Sequence, residues 1–224
     1  MTAEEVLEQV AAEVRVCTKC DLYIGTKHGV PGEGSAHAEV MFIGEAPGGR
    51  EDALGRPFVG PAGQFLNELL AAAGLDRSKV FITNVVKHRP PENRDPTPEE
   101  ISACSHYLDR QIAAINPRVI VTLGRYSMAR FFPNAKISKI HGQAQVIGGR
   151  VVLAMFHPAA ALHRQELRQT LIDDFTRAIP AALAEAKRLE AAGKLTSQQQ
   201  GASSQEQKPG DDESPPPQQM SLFE

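Results

Sequence analysis

Three polar residues each stand directly after an apolar run in this chain: Glu45 after Val40 to Ile43, Asn84 after Val80 to Thr83, and His157 after Val151 to Phe156. A carboxylate can orient water or face a developing cation, and an imidazole can donate to a leaving anion. A carboxamide offers an acceptor and two donors to a planar polar ring. Taken singly, each has a plainer reading: Glu45 as a turn acid, Asn84 as a satisfied strand-end amide, His157 as a polar residue held extended by Pro158. Gathered at one edge of one sheet, they would make a site. A second set is Cys17, Cys20 and Cys104, whose odd number and Cys-x-x-Cys pair suit a metal or cluster in a reducing compartment better than a disulfide framework.

The elements that must position these residues follow from periodicity. Apolar, β-branched runs predict strands over 39–44, 79–86, 118–123 and 150–156, and helical spacing predicts helices over 3–16, 62–74, 97–115, 125–132 and 165–191. Such alternation implies an α/β fold, a three-layer sandwich with a central four-stranded parallel sheet covered on both faces. Ligands of these sheets lie at the carboxyl ends of the strands. There Gly44-Glu45-Ala46-Pro47-Gly48 opens a loop rich in glycine and proline that continues through Glu51-Asp52 to Gly63. The stretch from Pro133 to Gly149, with Gly142, Gly148 and Gly149, reads as turns or a short hairpin.

At 224 residues and 42% hydrophobic content the chain can bury one sizeable core. One domain is expected over 1–193. A tail over 194–224, rich in Gln, Ser, Pro and acids, lacks the apolar surface to offset its ordering entropy and is expected to be disordered. The sequence has no run of about 18 apolar residues and no basic-then-apolar N-terminus, so neither membrane span nor signal peptide is expected and the cytoplasm is the expected compartment. Of the net charge of −3, the segment from Leu195 to Glu224 carries −4, which leaves +1 on the body. Attraction to a polyanion would then rest on local patches such as Lys87, Arg89 and Arg94.

The loop from Gly44 to Gly63, the segment Thr83-Asn84-Val85-Val86-Lys87 and His157-Pro158-Ala159-Ala160 together resemble the family 4 iron-sulfur uracil-DNA glycosylases, and the likeness runs from Cys17 to about Arg164. The resemblance implies the uracil-DNA glycosylase fold and hydrolysis of the N-glycosidic bond of deoxyuridine in DNA, leaving an abasic site. It makes Glu45 the group that activates water and stabilises the sugar cation, His157 the donor to a uracil carbonyl oxygen, and Glu51 a second functional acid. Glu51 reads equally well as a solvated loop acid. An extruded base needs a stacking platform and partners for its polar edge. Phe58 is the expected platform, Asn84 the reader of the N3 hydrogen and O4 acceptor, and Gly44 and Ala46 part of the same pocket. Segment 157–164 is similar to the loop that enters the vacated stack, with Leu162 as wedge, an alternative being ordinary packing. Arg164, Lys87 and Arg89 are expected on phosphates.

Cys17, Cys20 and Cys104 match three of the four cysteines that hold the family's [4Fe-4S] cluster. At the fourth place the chain reads Lys87-His88-Arg89-Pro90-Pro91, so His88 supplies an imidazole where the family has a thiolate. Histidine ligates iron in some clusters, and three cysteines with one histidine also form a common zinc set; cluster and zinc both stay open. A related branch that crosslinks to uracil-containing DNA also has a Lys-His pair here, followed by a basic loop ending in a nucleophilic histidine. The segment from Arg89 to Glu100 has no histidine, so turnover is expected, with capture of damaged DNA as the alternative. Finally, Gln219-Met220-Ser221-Leu222-Phe223 resembles the bacterial sliding-clamp pentapeptide. Expected partners are therefore uracil-containing DNA and a sliding clamp, with the protein itself a monomer.

Overall fold

A computed structural model describes residues 1–194; the expected tail and its Gln219 to Phe223 motif lie outside the described residues. The chain begins with α1 (Ala3–Arg15), β1 (Glu33–Gly34), β2 (Val40–Gly44), α2 (Gly49–Leu54), α3 (Pro61–Ala72) and β3 (Phe81–Asn84). It continues with α4 (Pro98–Ile115), β4 (Val119–Leu123), α5 (Arg125–Ala129), α6 (Ile137–Ile140), β5 (Gln143–Ile147), β6 (Arg150–Met155), α7 (Pro158–His163) and α8 (Glu166–Ala191). Thr2 and Thr97 each close a capping box, with Glu5 and Glu100 three positions on, which fixes where α1 and α4 start.

The four expected strands pair in parallel in the order β3-β2-β4-β6. Because successive side chains of a strand point to opposite faces, each strand feeds two cores. Val40, Phe42, Ile82, Val121 and Leu153 pack with Phe65 of α3 and with Leu171 and Phe175 of α8. Met41, Ile43, Phe81, Ile120 and Val152 pack with Val10 and Val14 of α1 and Tyr107 and Leu108 of α4. That is the expected three-layer sandwich.

The sheet is wider than expected. Two antiparallel strands flank the parallel four, β1 against β3 and β5 against β6. β1 is only two residues long, too short for any period to register. β5 is almost wholly exposed at the sheet edge and contains Gln143 and Gln145, so it lacks the apolar run of a core strand. Its hairpin turns on Gly148 and Gly149, both at positive φ, between the paired Ile147 and Arg150. A two-residue primed turn requires that backbone, and glycine adopts it without strain.

Candidate active site

Parallel pairing sets Gly44 level with Asn84 and Leu123 level with Met155. Glu45, Asn84 and His157 therefore arrive at one sheet edge. The Val85 and Val86 amides donate to the Gly44 and Glu45 carbonyls at 3.0 and 3.1 Å, pinning the backbone on which Glu45 is mounted. A cleft of about 150 Å³ opens there, lined by Ala46, Gly48, Glu51, Phe58, Ala62, Asn84, His157 and Ala159. A second hollow of about 310 Å³ shares Ala46, Gly48, His157 and Ala159 with it and adds Glu45, Pro47, Pro90, Asn93 and Arg94.

Gly44 is glycine for a steric reason. A Cβ there would stand 2.4 Å from Asn84 Oδ1 and 2.6 Å from Phe58 Cζ, so both side chains occupy the space that a larger residue would need. Asn84 is buried, and its Oδ1 has no hydrogen-bond partner. Phe58 sits at φ 52°, a left-handed conformation that costs a non-glycine residue about 1–2 kcal/mol. Glu51 explains how it persists: its Oε1 accepts from the Val59 and Gly60 amides at 2.8 and 2.7 Å, clamping the turn that leads into α3. Expected as a catalytic acid, Glu51 faces the cleft with one oxygen committed to this clamp. Phe58, expected on an open loop, is mostly buried, packed in the core and stacked at 5.5 Å on His157.

His157 caps α7 through its ring: Nδ1 accepts from the Ala159 amide at 3.1 Å. An accepting Nδ1 keeps its lone pair, so the proton of the neutral ring sits on Nε2. Burial pushes the imidazole down to about 4, against an opposing pull from Glu51, and the ring is neutral at pH 7. Glu45 moves the other way, raised to about 7 by burial and then by Asp95, with Arg125 opposing. Asp95 and Arg125 form an ion pair at the mouth. Sequence reasoning passed over both, because an exposed pair separated by thirty positions leaves no local signal.

The profile of the family described as the Uracil DNA glycosylase superfamily matches residues 31–179, a span that includes every residue of this cleft. The chain belongs to that superfamily. It is 48% identical over 183 residues to a Type-4 uracil-DNA glycosylase of Archaeoglobus fulgidus, across 77% of this chain and 92% of the relative. It is 45% identical over 182 residues to that of Thermotoga maritima, across 79% and 95%. A Type-5 uracil-DNA glycosylase of Thermus thermophilus is 34% identical over 149 residues, across 57% of this chain and 68% of its own.

The cysteine corner lies on the face of the sheet that α1 and α4 cover. Cys104 of α4 is buried in the core shared with α1, and Cys17 and Cys20 pack against that core. Burial pushes the Cys104 thiol up to about 11; Lys87 pulls it down, and Cys20 and Cys17 push it further up. His88 is buried close to Cys17: the space beside Gly29 is bounded by His88 Nε2 and by the Val14 carbonyl that accepts from the Cys17 amide at 3.3 Å. Three thiols and an imidazole at one corner are a donor set that fits an iron-sulfur cluster. Among the described residues no three His, Cys, Asp or Glu side chains converge at the spacing of a single ion.

The basic residues divide. Arg89 donates to Asn93 Oδ1 at 2.8 Å and lies against Gly49, near the cleft mouth, and Arg164 is exposed. Leu162 is 46% exposed on α7, a short helix that His157 begins. Lys87 corrects the expectation of a phosphate contact. It is fully buried, and its ammonium donates to Thr83, Asn84 and Gln111, which leaves it no path to DNA.

Proposed function

We propose that this chain excises uracil from DNA by hydrolysing the N-glycosidic bond, as a uracil-DNA glycosylase of the type-4 kind. The observation that carries the reading is the unpartnered, buried Asn84 Oδ1 at the cleft. A buried acceptor left bare is costly, and a ring N–H presented to it would offset that cost. Uracil offers such an N–H at N3 beside a carbonyl acceptor for the amide's own N–H, whereas the same ring position of cytosine is an acceptor.

Phe58 stacks the extruded base while Gly44 lets its ring lie close to the sheet edge. His157, neutral with its proton on Nε2, donates to a uracil carbonyl oxygen as negative charge collects on the departing base. Glu45, ionised above about 7, orients a water and faces the positive charge developing on the sugar. Glu51 holds the Phe58 turn. Leu162 enters the vacated stack, and Arg89 and Arg164 contact phosphates. Cys17, Cys20, Cys104 and His88 would hold a [4Fe-4S] cluster, whose contribution there is a structural clasp and not electron transfer.

No helix among the described residues is long and apolar enough to cross a membrane. The three free cysteines suit a reducing compartment, and on that ground we place the protein in the cytoplasm, acting as a monomer with one catalytic domain over 1–193. Gln219 to Phe223 would tether it to a sliding clamp. The deciding experiment incubates the protein with an excess of a single-uracil oligonucleotide and resolves alkali-treated product on a denaturing gel. Product in excess of protein is expected; a shifted adduct capped at one per protein would mean capture without turnover.

A further inference from the structure

Lys87 is among the largest fully buried side chains, and its three ammonium donors meet three neutral acceptors: Thr83 Oγ1 at 2.6 Å, Gln111 Oε1 at 2.8 Å and the Asn84 carbonyl at 2.9 Å. Gln111 and Thr83 are anchored in turn, donating to the Pro31 carbonyl at 2.6 and 3.1 Å. Burying a cation among neutral groups is expensive, and an apolar side chain of similar shape would avoid the cost. Stability alone therefore gives no reason for lysine at this position. Its contacts do. The side chain grips the last two residues of β3, Thr83 and Asn84, while the backbone carbonyl accepts from the Val30 amide at 2.7 Å and the backbone amide faces the Cys104 sulfur.

We infer that Lys87 is a positioning residue for uracil recognition: its buried ammonium fixes the Asn84 backbone, and its own backbone ties that strand end to the cysteine corner. The inference rests on Asn84 being the base reader. An amide that must meet a ring edge within a few tenths of an ångström gains its selectivity from being held, and a shift of about 1 Å can cost a hundredfold in rate.

A double-substitution cycle tests it. Single-turnover uracil excision is measured for the wild type, Lys87→Met, Asn84→Ala and the double variant, with metal content and visible spectrum recorded for each. Lys87→Met is expected to lose between about tenfold and a hundredfold in rate with metal content unchanged. If it acts through Asn84, the double variant is no slower than Asn84→Ala alone. Losses that multiply, or a wild-type rate in Lys87→Met, overturn the inference. Should Lys87→Met fail to fold, Thr83→Val, which removes one of the three acceptors, takes its place in the cycle, and the same outcomes support or overturn the inference. A wild-type rate in Asn84→Ala would instead overturn the base-reading role, in an arm where Lys87 is untouched, and the inference with it.

Discussion

Asn84 Oδ1 is a standing cost in the folded protein, about 1–3 kcal/mol for a buried acceptor with nothing to accept from. That cost separates function from stability at this position. Asn84→Ala should cut excision about a hundredfold or more while leaving the thermal midpoint at or above that of the wild type; a midpoint that falls steeply would make the amide a structural group. Glu45→Ala and His157→Ala should each lower the rate by a comparable factor, because each removes a group aimed at the water or the leaving base. The pH profile follows from the same pair. Glu45 must be ionised, so the single-turnover rate should climb with pH and level off above about 7. His157, held down to about 4, keeps its Nε2 proton throughout that rise and adds no second bend near 6.5. A profile flat from pH 5 to 8 would remove Glu45 as the base. Glu51 divides by chemistry: Glu51→Gln keeps an oxygen for the Val59 and Gly60 amides and should stay within about tenfold of wild type, whereas Glu51→Ala frees the strained Phe58 turn and should fall well below that in excision assays.

At the scale of elements, α7 does two jobs from one turn of helix: His157 caps it toward the cleft and Leu162 leaves it toward solvent. Leu162→Ala should slow excision from duplex DNA more than from single strands, since only the duplex must be held open. Equal losses on both substrates would return Leu162 to ordinary packing. What could be read beforehand, and what could not, divides along physical lines. β2, β4 and β6 are buried on both faces, so Val40 to Ile43 and Val151 to Met155 stand out as unbroken apolar runs and Val119 to Leu123 as one interrupted only by Thr122, and the polar Glu45 and His157 that follow β2 and β6 stand out too. β5 was legible only through its glycines, which marked turns or a short hairpin before 150, because edge exposure removes the apolar signal of a strand; α2 and α7 were hidden because six residues hold too few turns for a period. Lys87 misled for another reason: lysine is almost always exposed, and only the acceptors at Thr83, Asn84 and Gln111 make its burial tolerable. The positive φ of Phe58 is likewise written in the Glu51 clamp on the Val59 and Gly60 amides and in the close approach of Gly63, not in local propensity.

For the whole molecule, the question is what joins the two faces of the sheet. If the proposed cluster is bound, His88→Cys should keep its iron, while His88→Ala should lose iron or several degrees of thermal stability; unchanged iron in His88→Ala would remove it from the ligand set. A peptide spanning Pro215 to Glu224 should bind bacterial sliding clamp, and Leu222→Ala with Phe223→Ala should abolish binding without slowing excision from short oligonucleotides. The arrangement of α1 has a practical outcome. That helix rests on α4 through Val10, Val14 and the Glu13–Arg110 pair at 2.6 Å, and its exposed end at Arg15 runs directly into Cys17 and then Lys19. If the corner is clasped, Arg15 and Lys19 are poor protease sites. Oxidative loss of the clasp would then be recorded by trypsin: clipping at those two residues and shedding of the first helix, with the remainder of the domain still intact on the gel.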